Sequence, residues 1–107
     1  MPNPNIDKKA KELFRAITSL ETSQEAQNFF RDLCTLDEIQ AMAERWQIAQ
    51  MVDKGIPYRR IAKKLDVSTT TVSRVALWLY NGENGYRQAL DKMAHHHTPS
   101  RKTGKGV

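Results

Sequence analysis

Residues 58–80 read YRRIAKKLDVSTTTVSRVALWLY, and the spacing within this stretch decides the fold. Two helices that cross steeply around a short turn need apolar or small residues at fixed offsets. Ile61 and Leu65 supply the inner face of a first helix, with the small Ala62 where a second helix crosses. Val67 plugs the turn, and Val72 and Val75 supply the inner face of the second helix. Asp66 holds the turn position that is often glycine; aspartate enters the left-handed region more readily than most side chains. The pattern predicts a helix-turn-helix over about 57–81, with helices at about 57–65 and 69–81.

The remaining side chains of this stretch point outward, and they suit DNA. Ser68 is placed to cap the second helix, which leaves its free amides and positive dipole end for a phosphate. Thr69, Thr70, Thr71, Ser73 and Arg74 occupy the outer face near that end. Short hydroxyls reach base edges or phosphates, and arginine forks onto guanine. Arg59 is expected to join them in the groove, with Arg60, Lys63 and Lys64 on phosphates. The plainer alternative is a helical hairpin with a solvated basic face. The threonine cluster argues against it, because threonine is a poor helix former.

Outward from this stretch the apolar spacing is helical. Ile6, Ala10, Leu13, Phe14, Ile17 and Leu20 form one stripe; Ala26, Phe29, Phe30 and Leu33 form a second, capped by Thr22 or Ser23. Thr35 and Glu38 read as a capping box that opens a helix running to about Lys54. Its apolar residues, from Ile39 through Trp46 to Val52, wrap around more than one face, so it is expected at the centre or in a subunit interface. Gly55 ends it, and Pro57 suits a first helical turn. After Asn81-Gly82, the stripe Tyr86, Ala89, Leu90 and Met93 makes a sixth helix. The expectation is an all-α chain: a helical domain over 1–93 and a basic, disordered tail over 94–107.

Composition narrows the function classes. The chain has 107 residues, 39% hydrophobic and 27% charged, as befits one soluble globular domain. No apolar run reaches the ~18–20 residues of a membrane span, and the N-terminus shows no secretion signal. Residues 1–53 carry six Lys/Arg against nine Asp/Glu, and residues 54–107 carry eleven against three. That asymmetry suggests a polyanion for the second half, nucleic acid first and an acidic membrane surface second. A lone cysteine, Cys34, excludes an internal disulfide and fits a reduced, cytoplasmic protein. Cys34 has no nearby histidine to serve as a base and reads as core. His95, His96 and His97 are adjacent, fan out on a helix, and cannot share one metal. No Gly-rich phosphate loop and no catalytic constellation is visible, so neither an enzyme nor a cofactor is expected.

The run from Phe29 to Met93 resembles the tryptophan repressor superfamily, and within it the YerC/YecD-type branch of bacterial regulators. The resemblance covers about residues 23–93, and its marks are FFRDLCTLDEIQAMAER (29–45) and STTTVSRV (68–75). It implies a six-helix subunit in an intertwined homodimer, each subunit offering one helix-turn-helix to a pseudo-palindromic operator. It also implies an effector pocket. Arg45 and Arg74 stand where two arginines sandwich the corepressor's indole, and Thr35 matches a pocket threonine. A glycine and a serine of that pocket are replaced here by Val75 and Trp78. Two bulky groups then enter the ligand's space, so L-tryptophan is not the expected effector and Trp78 reads as a built-in filler. Arg45 reads equally well as an ordinary exposed arginine. The expected function is a sequence-specific, homodimeric transcription regulator, a repressor by resemblance. The alternative is a helical module docking on an acidic protein. A recombinase, which can end in a similar turn, would need a catalytic domain for which 107 residues leave no room.

Overall fold

A computed structural model describes residues 7–97; Ile6 of the expected first stripe, residues 98–107 of the tail expected over 94–107, and the side chains of His95–His97 lie outside the described residues. The elements are six helices, with no strand among the described residues: α1 Lys8–Thr18, α2 Ser23–Leu33, α3 Leu36–Asp53, α4 Tyr58–Leu65, α5 Thr69–Asn81 and α6 Gly85–His97. The chain divides into two compact units at Gln40 and Ala41, within α3.

In the first unit the helix starts are set by side chains. Asp7 accepts from the Ala10 amide at 2.9 Å, and Thr22, rather than Ser23, accepts from the Glu25 amide at 3.0 Å. The expected capping box forms: the Glu38 amide donates to the Thr35 hydroxyl at 3.1 Å, and the Thr35 amide donates to the Glu38 carboxylate at 2.8 Å. Neither α1 nor α2 contains a buried residue. Phe29 and Phe30 meet edge to face at 5.7 Å, while Phe14 and Leu33 are each 48% exposed.

The second unit holds the core. Ile48, Ala49, Met51 and Val52 of α3, Ile61 and Ala62 of α4, and Val72, Val75, Ala76 and Leu79 of α5 are buried together. α3 is thus apolar on several faces, as expected, but its buried residues all lie in its C-terminal half. α3 and α4 stop by the same device. Gly55 (φ 82°) and Asp66 (φ 56°) take the left-handed conformation. The next residues, Ile56 and Val67, donate their amides back to the Met51 and Ala62 carbonyls at 3.2 and 2.9 Å. Both then pack against the core. Pro57 sits one position earlier than a first-turn proline: it is the N-cap of α4, with its carbonyl accepting from the Ile61 amide at 3.0 Å.

α6 packs on α5 and continues to His97, four residues past Met93, so residues 94–97 belong to this helix and not to the disordered tail expected from 94. Two contacts also tie it to α3. Tyr86 stacks on Trp46 with ring centroids 6.4 Å apart, and Arg87 donates to the Asp53 carboxylate at 2.8 Å.

Candidate nucleic-acid interface

The two helices of the turn are α4 and α5, and their termini carry charges that folding alone does not explain. α4 begins without a side-chain cap and without an acidic residue in its first turn, yet Arg59 and Arg60 lie there. A cation at a helix N-terminus opposes the dipole, at about 0.3–1 kcal/mol each. Lys63 and Lys64 lie in the last turn, where a cation suits the dipole. All four are exposed. Among the described residues the ion pairs join Arg87 to Asp53 and to Asp91. None involves Arg59, Arg60, Lys63, Lys64 or Arg74.

At the start of α5, Ser68 accepts from the Thr71 amide at 3.0 Å, and the two hydroxyls lie 2.9 Å apart. The first turn again has no acid. Thr69, Thr70, Ser73 and Arg74 are exposed, while Thr71 is half-buried. The sequence-predicted contact residues are thus exposed on α4 and on the first two turns of α5, except Thr71, and Thr71 and Arg74 stand on the side of α5 that faces a cavity.

Four of the five expected effector-pocket residues also come together. Arg45, Arg74, Val75 and Trp78 line a cavity of about 240 Å³ with Ala41, Glu44 and Thr71. Thr35 lies in the first unit, where it caps α3. Val75 does double duty: it lines this cavity and, at 1% exposed, belongs to the core. Trp78, 44% exposed, also borders a wider cavity of about 640 Å³, walled further by Asn81, Gly82, Glu83, Gly85 and Tyr86. The sequence reading missed Ala41 and Glu44, although Ala41 lies four residues before Arg45 on one face of α3 and Glu44 lies three after Ala41. It also missed Asp53 and Arg87, whose pairing across 34 residues leaves no local signal.

Burial raises the Tyr86 phenol above its ordinary pKa, with Arg45 partly offsetting the shift. Arg87 is held more firmly protonated by its hydrogen bond and ion pair to Asp53. No group of three His, Cys, Asp or Glu suited to a metal gathers among the described residues. Among the same residues no helix is long and apolar enough to cross a membrane.

The sequence profile of the family described as Trp repressor protein matches residues 8–94. The chain belongs to the Trp repressor family. Its relatives include the uncharacterized protein YerC of Bacillus subtilis (strain 168), 40% identical over 93 residues, which span 87% of this chain and 89% of YerC. Among solved structures, a TrpR-like protein from Eubacterium eligens ATCC 27750 superposes with a TM-score of 0.77 at 36% identity, covering 82% of this chain and 91% of that one. A candidate Trp repressor from Staphylococcus aureus gives a TM-score of 0.76 at 41% identity, covering 82% and 88%. The Trp repressor-like fold expected from residues 29–93 is thus the fold observed, and the YerC-type branch is the one these likenesses support. Trp repressor family membership marks the chain as a DNA-binding regulator built on a helix-turn-helix, in a family of regulators and not of enzymes.

Proposed function

We propose that this Trp repressor family member is a homodimeric repressor that binds a pseudo-palindromic operator as a cytoplasmic protein. Arg59, Ser68, Thr69, Thr70 and Ser73 enter the major groove, Thr71 and Arg74 lie at its edge on the cavity side of α5, and Arg60, Lys63 and Lys64 hold phosphates. One observation carries this reading: among the described residues the exposed cations of α4 and Arg74 of α5 make no ion pair with a carboxylate, and two of them stand at the helix end that disfavours them. DNA phosphates complete both deficits. Acids are also missing from the first turn of α5, where a backbone phosphate would meet the Ser68-capped amides.

The proposed repressor acts without L-tryptophan. The cavity between Arg45 and Arg74 measures about 240 Å³, below the roughly 300–1,000 Å³ of small-molecule sites. Val75 and Trp78 supply attached side chains where a ligand would otherwise sit, so the reading heads are set during folding.

Gel retardation of genomic fragments, with excess nonspecific competitor, tests the reading. Discrete retained fragments are expected, with affinity unchanged by millimolar L-tryptophan and no heat of tryptophan binding by calorimetry. Retention that requires tryptophan would overturn the effector-free reading. No specific retention at low salt would overturn DNA reading and assign the basic face to an acidic protein partner.

A further inference from the structure

α5 presents three faces, and their chemistry differs. Val72, Val75, Ala76 and Leu79 are buried in the core. Thr71, Arg74 and Trp78, spaced by three and four, turn toward the smaller cavity. Thr70, Ser73 and Leu77 share the remaining face at the same spacing; all are exposed, and Thr69 is exposed at the helix tip.

The hydroxyls near this tip are not equivalent. Those of Ser68 and Thr71 are engaged with each other in the cap. Thr69, Thr70 and Ser73 lie outside it. The outward face therefore carries short side chains and a leucine, with no guanidinium, ammonium or carboxamide to fork onto a purine. A hydroxyl both donates and accepts, so by itself it does not separate one base from another. The base-edge feature that such side chains do discriminate is the thymine C5 methyl, which packs against a threonine methyl.

We propose that α5 reads thymine by methyl contact through Thr70, with Thr69 beside it, leaving guanine recognition to Arg59 on α4. This rests on the DNA-binding reading above and names what that interface selects. Each half-site then carries thymine opposite the start of α5. A 5-methylcytosine at that position supplies the same methyl and partly replaces it.

The test uses the full chain and an operator recovered from genomic fragments, with deoxyuridine replacing each thymine of a half-site in turn. At one position per half-site, loss of the methyl is expected to weaken binding about four-fold, the worth of one buried methyl. Replacement in both half-sites should weaken it about fifteen-fold, since separated sites add. Thr70→Val keeps a methyl and should retain this sensitivity, whereas Thr70→Ser should lose it and bind both DNAs alike. Thr70 is exposed, and equal unfolding midpoints would confirm that both variants are folded. Specific binding indifferent to every deoxyuridine, or a Thr70→Ser variant with full sensitivity, overturns thymine reading while leaving DNA binding intact. Failure to retain any fragment overturns the DNA reading and this proposal together.

Discussion

Gly55 and Asp66 show how much one backbone angle decides. Each places a left-handed residue after a helix so that the following apolar side chain returns to the core. Nothing lies within 4 Å of a β-carbon built on Gly55, so the cost of replacing it is conformational alone. Gly55→Ala is expected to lower stability by about 1–2 kcal/mol, read as a shifted urea midpoint at unchanged slope. Val75 is decided by packing instead. Because it is 1% exposed, Val75→Gly removes a buried side chain and adds helix-interior glycine. The expected loss is about 3 kcal/mol, so reopening the effector pocket this way also weakens the turn. Trp78→Ser is the cleaner probe of the pocket, since that side chain is 44% exposed.

Element by element, charge separates affinity from specificity. Lys63 and Lys64 lie in the last turn of α4 and contact phosphates in the proposed complex. Lys63→Ala or Lys64→Ala is expected to reduce the salt slope of binding by about 1–2 per dimer while leaving sequence preference unchanged. Arg59→Ala should instead change which sequences are preferred, at about 1–3 kcal/mol per lost base contact. Reversed roles would show that the faces of α4 are misassigned. α6 is held by the Trp46–Tyr86 stack and the Arg87–Asp53 pair. Burial raises the Tyr86 pKa, so the folded state keeps that proton more firmly than the unfolded chain does. Its contribution is complete below the unfolded value of 10.0 and is lost as pH rises past it through the folded value. Stability should therefore fall above pH 10 with a component absent in Tyr86→Phe, measured by urea unfolding across that range.

At the scale of the whole molecule, α1 and α2 set the problem. Each spans 11 residues and buries none of them. Isolated helices of that length are marginal in water, and their apolar stripes include half-exposed Phe14 and Leu33. The proposed second subunit covers these stripes. The protein is expected to sediment as a dimer at micromolar concentration, with a melting temperature that rises with protein concentration. Phe14→Asp and Leu33→Asp should shift it toward monomer, and a clean monomer of the native chain would overturn the intertwined architecture.

The sequence by itself determined where most of the inner helices begin and end, because those signals act over three to five residues, while the start of α1 at Asp7 and the end of α6 at His97 were not read from it. The Thr35–Glu38 box, Gly55, Asp66 and Ser68 each satisfy or redirect backbone groups within one turn and were legible without tertiary contacts, whereas the cap of α2 was narrowed only to Thr22 or Ser23. The periodicity of residues 58–80 likewise specified the buried faces of α4 and α5. Only the tertiary structure decided how those faces are used. It gave Val75 to both the core and the cavity, joined Asp53 to Arg87, and stacked Trp46 on Tyr86. It also placed Arg74 on the cavity side of α5 and left Thr70 on the open one. These choices depend on residues far apart in the chain meeting at one surface, which a local pattern of caps and spacings does not encode.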